Sequence, residues 1–336
     1  MHIFAIRFSA MGDVVLTVPV LRHVLNQNPE LKITLVTKKG FSAFFEGIKN
    51  LTIEEMDTSG KYAGVWGLWK FSGYLKKKYA VDLVIDLHGV TRSMLLTFLL
   101  RKKTFTINKG RVEKSRLTRK HNKILNNLKH TTERYLDLFT QAGINYKLMI
   151  PLPMLNTNQN LLPEIQPWLS KKNNLLIGIA PLTQHFQKQW PLEYMIELVK
   201  KIKNKIPDAE IILFGSNKEI PVLKTLTANP SEIVAGKISL EAEILLISKL
   251  KIMICMDSSN MHIAALTGVP TLSIWGATHP YAGYAPLGSN HTIIQNSSLT
   301  CRPCAIFGNK PCYRKDLACL NSLNSDMILD NILKII

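Results

Sequence analysis

Ile254-Cys-Met-Asp257-Ser258-Ser259-Asn260-Met-His262-Ile-Ala-Ala-Leu-Thr-Gly268-Val-Pro270-Thr-Leu-Ser-Ile-Trp-Gly276 is the stretch from which the fold of this 336-residue chain can be read. The apolar run from Ile252 to Met256 predicts a buried strand, and Asp257-Ser258-Ser259-Asn260 supplies N-cap chemistry for a helix. Gly268 closes that short helix, and Pro270 to Ile274 predicts the next strand. At the strand–helix corner of such a unit, polar side chains stand beside free N–H groups of the helix start, a geometry that suits a diphosphate. His262, five residues past Asp257, falls within reach of the same crevice. The same residues also describe an ordinary capped helix, and their spacing alone does not separate the two.

Outward from this unit, the rest of the chain repeats the alternation. In the first half, strands are expected at Ile3 to Phe8, Ile33 to Thr37, Leu51 to Met56, Leu83 to Leu87 and Thr104 to Ile107. Helices are expected at Val14 to Asn26, Phe41 to Glu46, Trp66 to Lys78 and Arg92 to Leu100. Pro151 to Pro167 breaks the pattern with four prolines and reads as a linker. Strands then return at Leu175 to Ala180 and Glu210 to Phe214, with helices at Leu192 to Lys205, Ile220 to Leu226 and Leu240 to Lys249. A final amphipathic helix is expected at Ile328 to Ile336. This order implies an α/β protein with parallel sheets covered on both faces. A single core rarely grows beyond ~250–300 residues, so two domains are expected. They are placed at 1–155 and 156–325, doubly wound and facing across a cleft. The closing helix, 326–336, would pack back toward the first domain.

No run of 18 apolar residues occurs, which excludes a transmembrane helix on length. The start, Met1-His-Ile-Phe-Ala-Ile-Arg7, lacks a basic leader, and cytoplasmic residence is the expectation. The charge is lopsided. Residues 1–150 carry 25 Lys/Arg against 11 Asp/Glu, and residues 151–336 carry 17 against 13. An excess of that kind in one half implies an anionic partner: nucleic acid, an acidic membrane surface or a phosphorylated substrate. It is densest from Arg101 to Arg134. Leu95 to Leu100 followed by Arg101-Lys102-Lys103 reads either as an interfacial element or as a core helix with a basic end. The basic stretch contains no recognised nucleic-acid-binding module or aromatic stacking pattern, so no nucleic acid is expected.

Polar residues gather where strands end. Arg7-Phe-Ser9-Ala-Met-Gly12-Asp13 follows the first strand; Gly12 permits a tight turn and Asp13 sits at a helix start, favoured by the dipole. A carboxylate there can act as a general base or merely as a helix-start carboxylate. Asp86-Leu-His88-Gly89-Val-Thr-Arg92-Ser93 ends the fourth strand. In the second half, Thr183 opens a loop in which Lys188 precedes Trp190-Pro191 and can neutralise a diphosphate. Glu219, after the next strand, can accept hydrogen bonds from ribose hydroxyls. There is no G-x-G-x-x-G and no G-x-x-x-x-G-K-[ST], which removes the fingerprints of a nicotinamide enzyme and a P-loop NTPase.

Arg7-x-Ser9-x-x-Gly12-Asp13, Asp86-x-x-Gly89, Lys188-x-Trp190-Pro191, Asp257-Ser258-x-x-Met261-His262-x-Ala264-Ala265 and Trp275-Gly276-Ala-Thr278-His-Pro280 occur in the order seen in one family. Over essentially its whole length the chain resembles the ADP-heptose:lipopolysaccharide heptosyltransferases, glycosyltransferase family 9. The resemblance implies a GT-B fold and inverting, metal-independent transfer of a heptose from a nucleotide diphosphate sugar, ADP-heptose, to a lipid A–inner-core acceptor. It implies an enzyme on the inner face of the inner membrane, peripheral on an anionic surface, needing no cofactor. Asp13 matches the proposed catalytic base and Lys188 the lysine on the donor phosphates. Thr183, Glu219, Asp257, Ser258, Ser259 and His262 make the implied donor side, and Arg7, Ser9, Gly12, His88 and Arg92 the acceptor side. The family usually has Gly where this chain has Ser259, and Pro181-Leu-Thr183 lacks the small residues often found there; both departures bear on donor identity. A non-catalytic nucleotide-sugar-binding protein could keep Lys188 and Asp257 yet dispense with Asp13, so the presence of Asp13 favours an enzyme.

Cys301-x-x-Cys304, Cys312 and Cys319 form a cluster whose spacing permits a structural zinc site, with reduced thiols as the default.

Overall fold

The computed structural model describes residues 1–146, 153–169 and 175–336. These form two compact units, Met1–Arg111 with Lys129–Asn156, and Val112–Leu128 with Thr157–Ile336. Pro151, where the linker was expected to begin, lies outside the described residues, while Pro167 stands inside a helix.

The first unit holds five parallel strands, β1 (His2–Ile6), β2 (Lys32–Lys38), β3 (Leu51–Met56), β4 (Leu83–Asp86) and β5 (Lys103–Thr106), ordered β3-β2-β1-β4-β5. Of these, β1, β2 and β4 are the apolar, buried ones, and β3 and β5 are the more polar edges. Between them run α1 (Met11–Val15), α2 (Thr17–Gln27), α3 (Gly64–Lys78) and α4 (Thr91–Leu100); α5 (Arg111–Leu117) falls, but for its first residue, in the second unit, and α6 (Thr131–Gln141) returns to the first. Alternate strand residues divide between the two faces. Phe4, Ile6 and Val84 pack with Leu68, Phe71 and Leu75 of α3 and Leu96 and Leu100 of α4. Ile3, Ala5 and Ile85, one residue out of phase, are buried as well. Leu95 to Leu100 is therefore largely a core helix, with Leu95 and Leu99 only half-buried. The single helix expected from Val14 to Asn26 is broken at Leu16, and Pro19 is accommodated in the first turn of α2, where a missing N–H costs nothing.

The second unit holds α7 (Leu162–Leu169), β6 (Leu175–Ala180), α8 (Leu192–Lys205), β7 (Ala209–Leu213), α9 (Ile220–Leu223), α10 (Leu240–Ile247), β8 (Ile252–Met256), α11 (Ser259–Leu266), β9 (Thr271–Trp275), β10 (His291–Gln295), α12 (Ala318–Asn321) and α13 (Ser325–Leu333). Its five strands are also parallel, in the order β10-β9-β8-β6-β7. Ile177, Ile179, Ile252 and Ile254 pack against Leu198 and Ile202 of α8. The closing helix belongs to the second unit. Its Ile328, Leu329 and Ile332 join this second core against α8, and Asn324 caps its start, accepting from Met327 N at 2.9 Å.

The basic stretch Val112–Leu128 also belongs to the second unit. Lys123 Nζ donates to the carbonyls of Cys301 and Pro303 at 2.7 and 2.6 Å, and Leu128 N donates to Tyr281 O at 2.9 Å. In both sheets the strand order reverses beside the first strand, between β1 and β4 and between β6 and β8. Open α/β sheets bind ligands at that point, outside the carboxyl ends of the strands. Among the described residues, no helix is long and apolar enough to cross a membrane.

Candidate active site

In the first unit the reversal point carries an ion pair. Arg7 leaves the end of β1 with its side chain buried; Nη1 donates to Leu87 O at 2.8 Å and Nη2 meets Asp13 Oδ2 at 2.6 Å. The Tyr135 ring lies 5.8 Å below the guanidinium, and its hydroxyl donates to Asp13 O at 3.3 Å. Asp13 is thus held in the first turn of α1 by side chain and backbone together. Beside it, the loop after β4 is folded by Asp86, fully buried, which accepts from His88 N, Gly89 N and Ser93 Oγ, each at 2.9 Å. Gly89 takes φ +56° in that turn, a conformation that L side chains disfavour.

His88 Nδ1 accepts from Phe8 N at 3.4 Å. Burial, with Arg7, Lys109 and Arg92 adding to it, pushes the His88 pKa down to about 3, so the ring is neutral at physiological pH. Lys109, three residues past β5, was missed by the sequence reading. Its pKa is lowered by burial first and then by Arg7 and Arg111, while Asp13 and Asp86 act in the opposite direction. The available signal was position: it follows the carboxyl end of a parallel strand. Ser9 is half-buried in the first loop, Gly12 precedes Asp13 in α1, and Arg92 is exposed in the first turn of α4.

In the second unit the reversal point carries the mirror arrangement. Lys188 ends a single turn after β6, and its Nζ lies 3.2 Å from Asp257 Oδ2 at the end of β8. Gly308, at φ +69°, lies so close that a Cβ there would collide with the Lys188 stem. Ser258 takes the N-cap position of α11 but makes no capping bond, contrary to the expectation from its type; its Oγ is buried without a hydrogen-bond partner among the described residues. Ser259 opens the helix half-buried, and His262 is buried on it.

Two implied donor residues are occupied locally. Thr183 Oγ1 donates to His185 O at 2.8 Å, and Glu219 Oε2 accepts from Ser216 N and Ser216 Oγ at 2.6 and 2.8 Å. Glu219 follows β7, one strand away from the Lys188–Asp257 pair. A residue the sequence reading overlooked is Arg302, almost fully buried. It donates to the carbonyls of Trp275 and Thr278 at 3.1 and 3.0 Å and to Gln295 Oε1 at 3.1 Å, tying down the loop after β9.

Cys301, Cys304, Cys312 and Cys319 line one small cavity as free thiols. Burial raises the Cys304 and Cys319 pKa values, the latter to about 11, so both stay protonated near neutrality. Among the described residues no group of three or more His, Cys, Asp or Glu is arranged to hold a metal ion, and the spacing-based zinc reading finds no support in the geometry.

A family model described as "Glycosyltransferase family 9 (heptosyltransferase)" matches residues 69–311. The chain belongs to that family. This family-9 enzyme is a glycosyltransferase, and its fold is of the GT-B type, two doubly wound parallel-sheet domains. It is 23% identical to the lipopolysaccharide core heptosyltransferase OpsX of Haemophilus influenzae, over 82% of this chain and 79% of that protein. A family-9 glycosyltransferase from Veillonella parvula has the same fold at TM-score 0.80 and 16% identity, covering 99% of this chain and 96% of the other. The Escherichia coli heptosyltransferase WaaC with ADP-2-deoxy-2-fluoro heptose matches at TM-score 0.69 and 19% identity, covering 99% of both chains. The family match contains His88, Lys109, Lys188, Asp257 and Arg302 but begins after the Arg7–Asp13 loop, whose reading rests on its own geometry.

Proposed function

We propose that this family-9 enzyme moves a heptose from ADP-heptose to the inner core of lipopolysaccharide, with inversion at the anomeric carbon and without a metal. The observation that carries the reading is the presence, at the reversal point of each sheet, of one polar ion pair: a carboxylate held by Arg7 in one, a lysine held by Asp257 in the other. Asp13 takes the proton from an acceptor hydroxyl as that oxygen attacks the anomeric carbon. The new C–O bond forms while the bond to the diphosphate breaks, and the departing negative charge is met by Lys188 and the N–H groups opening α11. A charge-assisted hydrogen bond from Lys188 contributes ~1.5–3 kcal/mol and a helix start ~0.3–1 kcal/mol, so the lysine dominates. The sequence holds no Asp-x-Asp pair, and Lys188 supplies the positive charge such a pair would recruit as a divalent ion.

Ser258, Ser259 and His262 line the donor side, with Thr183 and Glu219 reaching the nucleotide by releasing their local partners. Arg7, Ser9, Gly12, His88 and Arg92 serve the lipid A–core acceptor, joined by Lys109, whose charge suits an anionic sugar. Work on a lipid-borne acceptor places the enzyme in the cytoplasm, peripheral on the anionic inner face of the inner membrane. Thermal denaturation with nucleotides tests the donor: a ligand at 100 times its Kd stabilises by ~2.7 kcal/mol. ADP and ADP-sugars are expected to raise Tm, and equal stabilisation by UDP and GDP would refute the adenine reading. Transfer that persists in a strong chelator is expected; its loss, restored by a divalent ion, would refute metal independence.

A further inference from the structure

We propose that the exposed faces of α3 and α4 form a docking surface for an anionic lipid bilayer. Helical spacing sends Leu68, Phe71 and Leu75 of α3 into the core and leaves Trp66 and Trp69 on the outside, 77% and 57% exposed. Their rings meet edge to face with centroids 6.3 Å apart. On the neighbouring α4, Met94 is 56% and Phe98 77% exposed. Both helices pack on the same face of the sheet, and Lys76 of α3 donates to Leu99 O of α4 at 3.3 Å. Large apolar side chains gathered on one surface mark an interaction site in a folded protein.

Charge selects the occupant. Between Thr58 and Lys103 there are nine Lys/Arg and two Asp/Glu, and neither acidic residue lies in α3 or α4. Asp86 is fully buried under its own loop, and Asp82 Oδ2 accepts from His2 N at the opposite edge of the sheet. Lys70 shares the exposed face with Trp69, and Lys77 follows two turns later. Tryptophans in the first two turns of α3, Met94 and Phe98 along α4 and cations along the flank are the composition of an interfacial element on anionic lipid. Of the nearby carboxylates, Glu54 is buried and paired with Lys78, and Asp57 accepts from the backbone of the turn before α3. A protein partner of this one would need a correspondingly acidic, apolar face, which a second copy of so basic a chain does not offer.

Position links the surface to the reaction. In a parallel sheet each crossover helix starts at the carboxyl edge of the strand before it, so the first turns of α3 and α4 lie along the edge that carries Arg7 and His88. This link, unlike the docking itself, rests on the proposed lipid-borne acceptor. A bilayer held against these turns presents the polar head of such an acceptor to the loops that carry Asp13 and His88.

Intrinsic fluorescence reads the docking without any substrate. Trp168, Trp190 and Trp275 are buried, so an emission shift on adding vesicles reports Trp66 and Trp69. With phosphatidylglycerol vesicles at low salt, a blue shift and sedimentation with lipid are expected, both weakened by high salt. The triple variant Trp66→Ala, Trp69→Ala, Phe98→Ala is expected to lose about tenfold or more of that retention with its melting temperature unchanged, because the three side chains are exposed. No retention of the unmodified protein, equal retention of the variant, or a self-association that the variant abolishes while lipid is ignored would each overturn the proposal. Because retention is read without donor or acceptor, failure of the heptosyl-transfer reading leaves this measurement intact.

Discussion

At the end of β1 an arginine holds a carboxylate, Arg7 on Asp13 at 2.6 Å; at the end of β8 a carboxylate holds a lysine, Asp257 on Lys188 at 3.2 Å. In the first pair the cation is the anchored member. Arg7 is spent on Leu87 O, and its side chain is 7% exposed against 19% for Asp13. In the second pair Lys188 and Asp257 are nearly equal in exposure, at 15% and 12%, and the stem of the lysine lies against Gly308. One chemistry, reversed, leaves a carboxylate to work in one unit and a cation in the other. Under the proposed mechanism, proton removal and diphosphate binding fall to different residues.

Substitutions can break this contrast, starting with the largest effect. Asp13→Asn keeps the shape but removes the base, and transfer is expected to fall ~10²–10⁴-fold in steady-state assays, while unchanged turnover would remove Asp13 from the role. Lys188→Met forfeits a charge-assisted contact of ~1.5–3 kcal/mol, so the Kd for ADP is expected to rise roughly 10- to 150-fold. Gly308→Ala places a Cβ against the Lys188 stem at φ +69°, with ~1–2 kcal/mol of backbone strain, and should weaken ADP binding less than Lys188→Met does. Equal or greater weakening would mean that Lys188 binds by position alone.

The smallest effect at neutral pH comes from His88. Its folded-state pKa of about 3 lies below the usual 6.5, so the unfolded chain takes up the proton first as pH falls. Above pH 6.5 the group contributes nothing; between 6.5 and about 3 it removes stability with a slope approaching ~1.4 kcal/mol per pH unit. His88→Gln is expected to flatten that part of a denaturation series, and an unaltered slope would contradict the buried, neutral ring.

The contrast between the pairs was partly legible before any coordinates. Leu175 to Ala180 and Ile252 to Met256 read as strands because both of their faces are covered and the run is apolar throughout. His291–Gln295 did not, since only Ile294 of this edge strand is buried. The crossing of Val112–Leu128 into the second unit was illegible because Lys123 looks like any other lysine in a basic stretch until it meets the carbonyls of Cys301 and Pro303. Arg302 was hidden for the same reason: five neutral acceptors gathered by the fold define its task. Glu219 and Thr183 show the converse, side chains of suitable type that local turns had already engaged.

Calorimetric titration of ADP into the unsubstituted protein, Asp13→Asn and Lys188→Met separates the two pairs in one experiment. Asp13→Asn should bind ADP as tightly as the unsubstituted protein and Lys188→Met at least about tenfold more weakly. Equal weakening of both variants, or of neither, would show that nucleotide binding and proton removal are not divided between the two units.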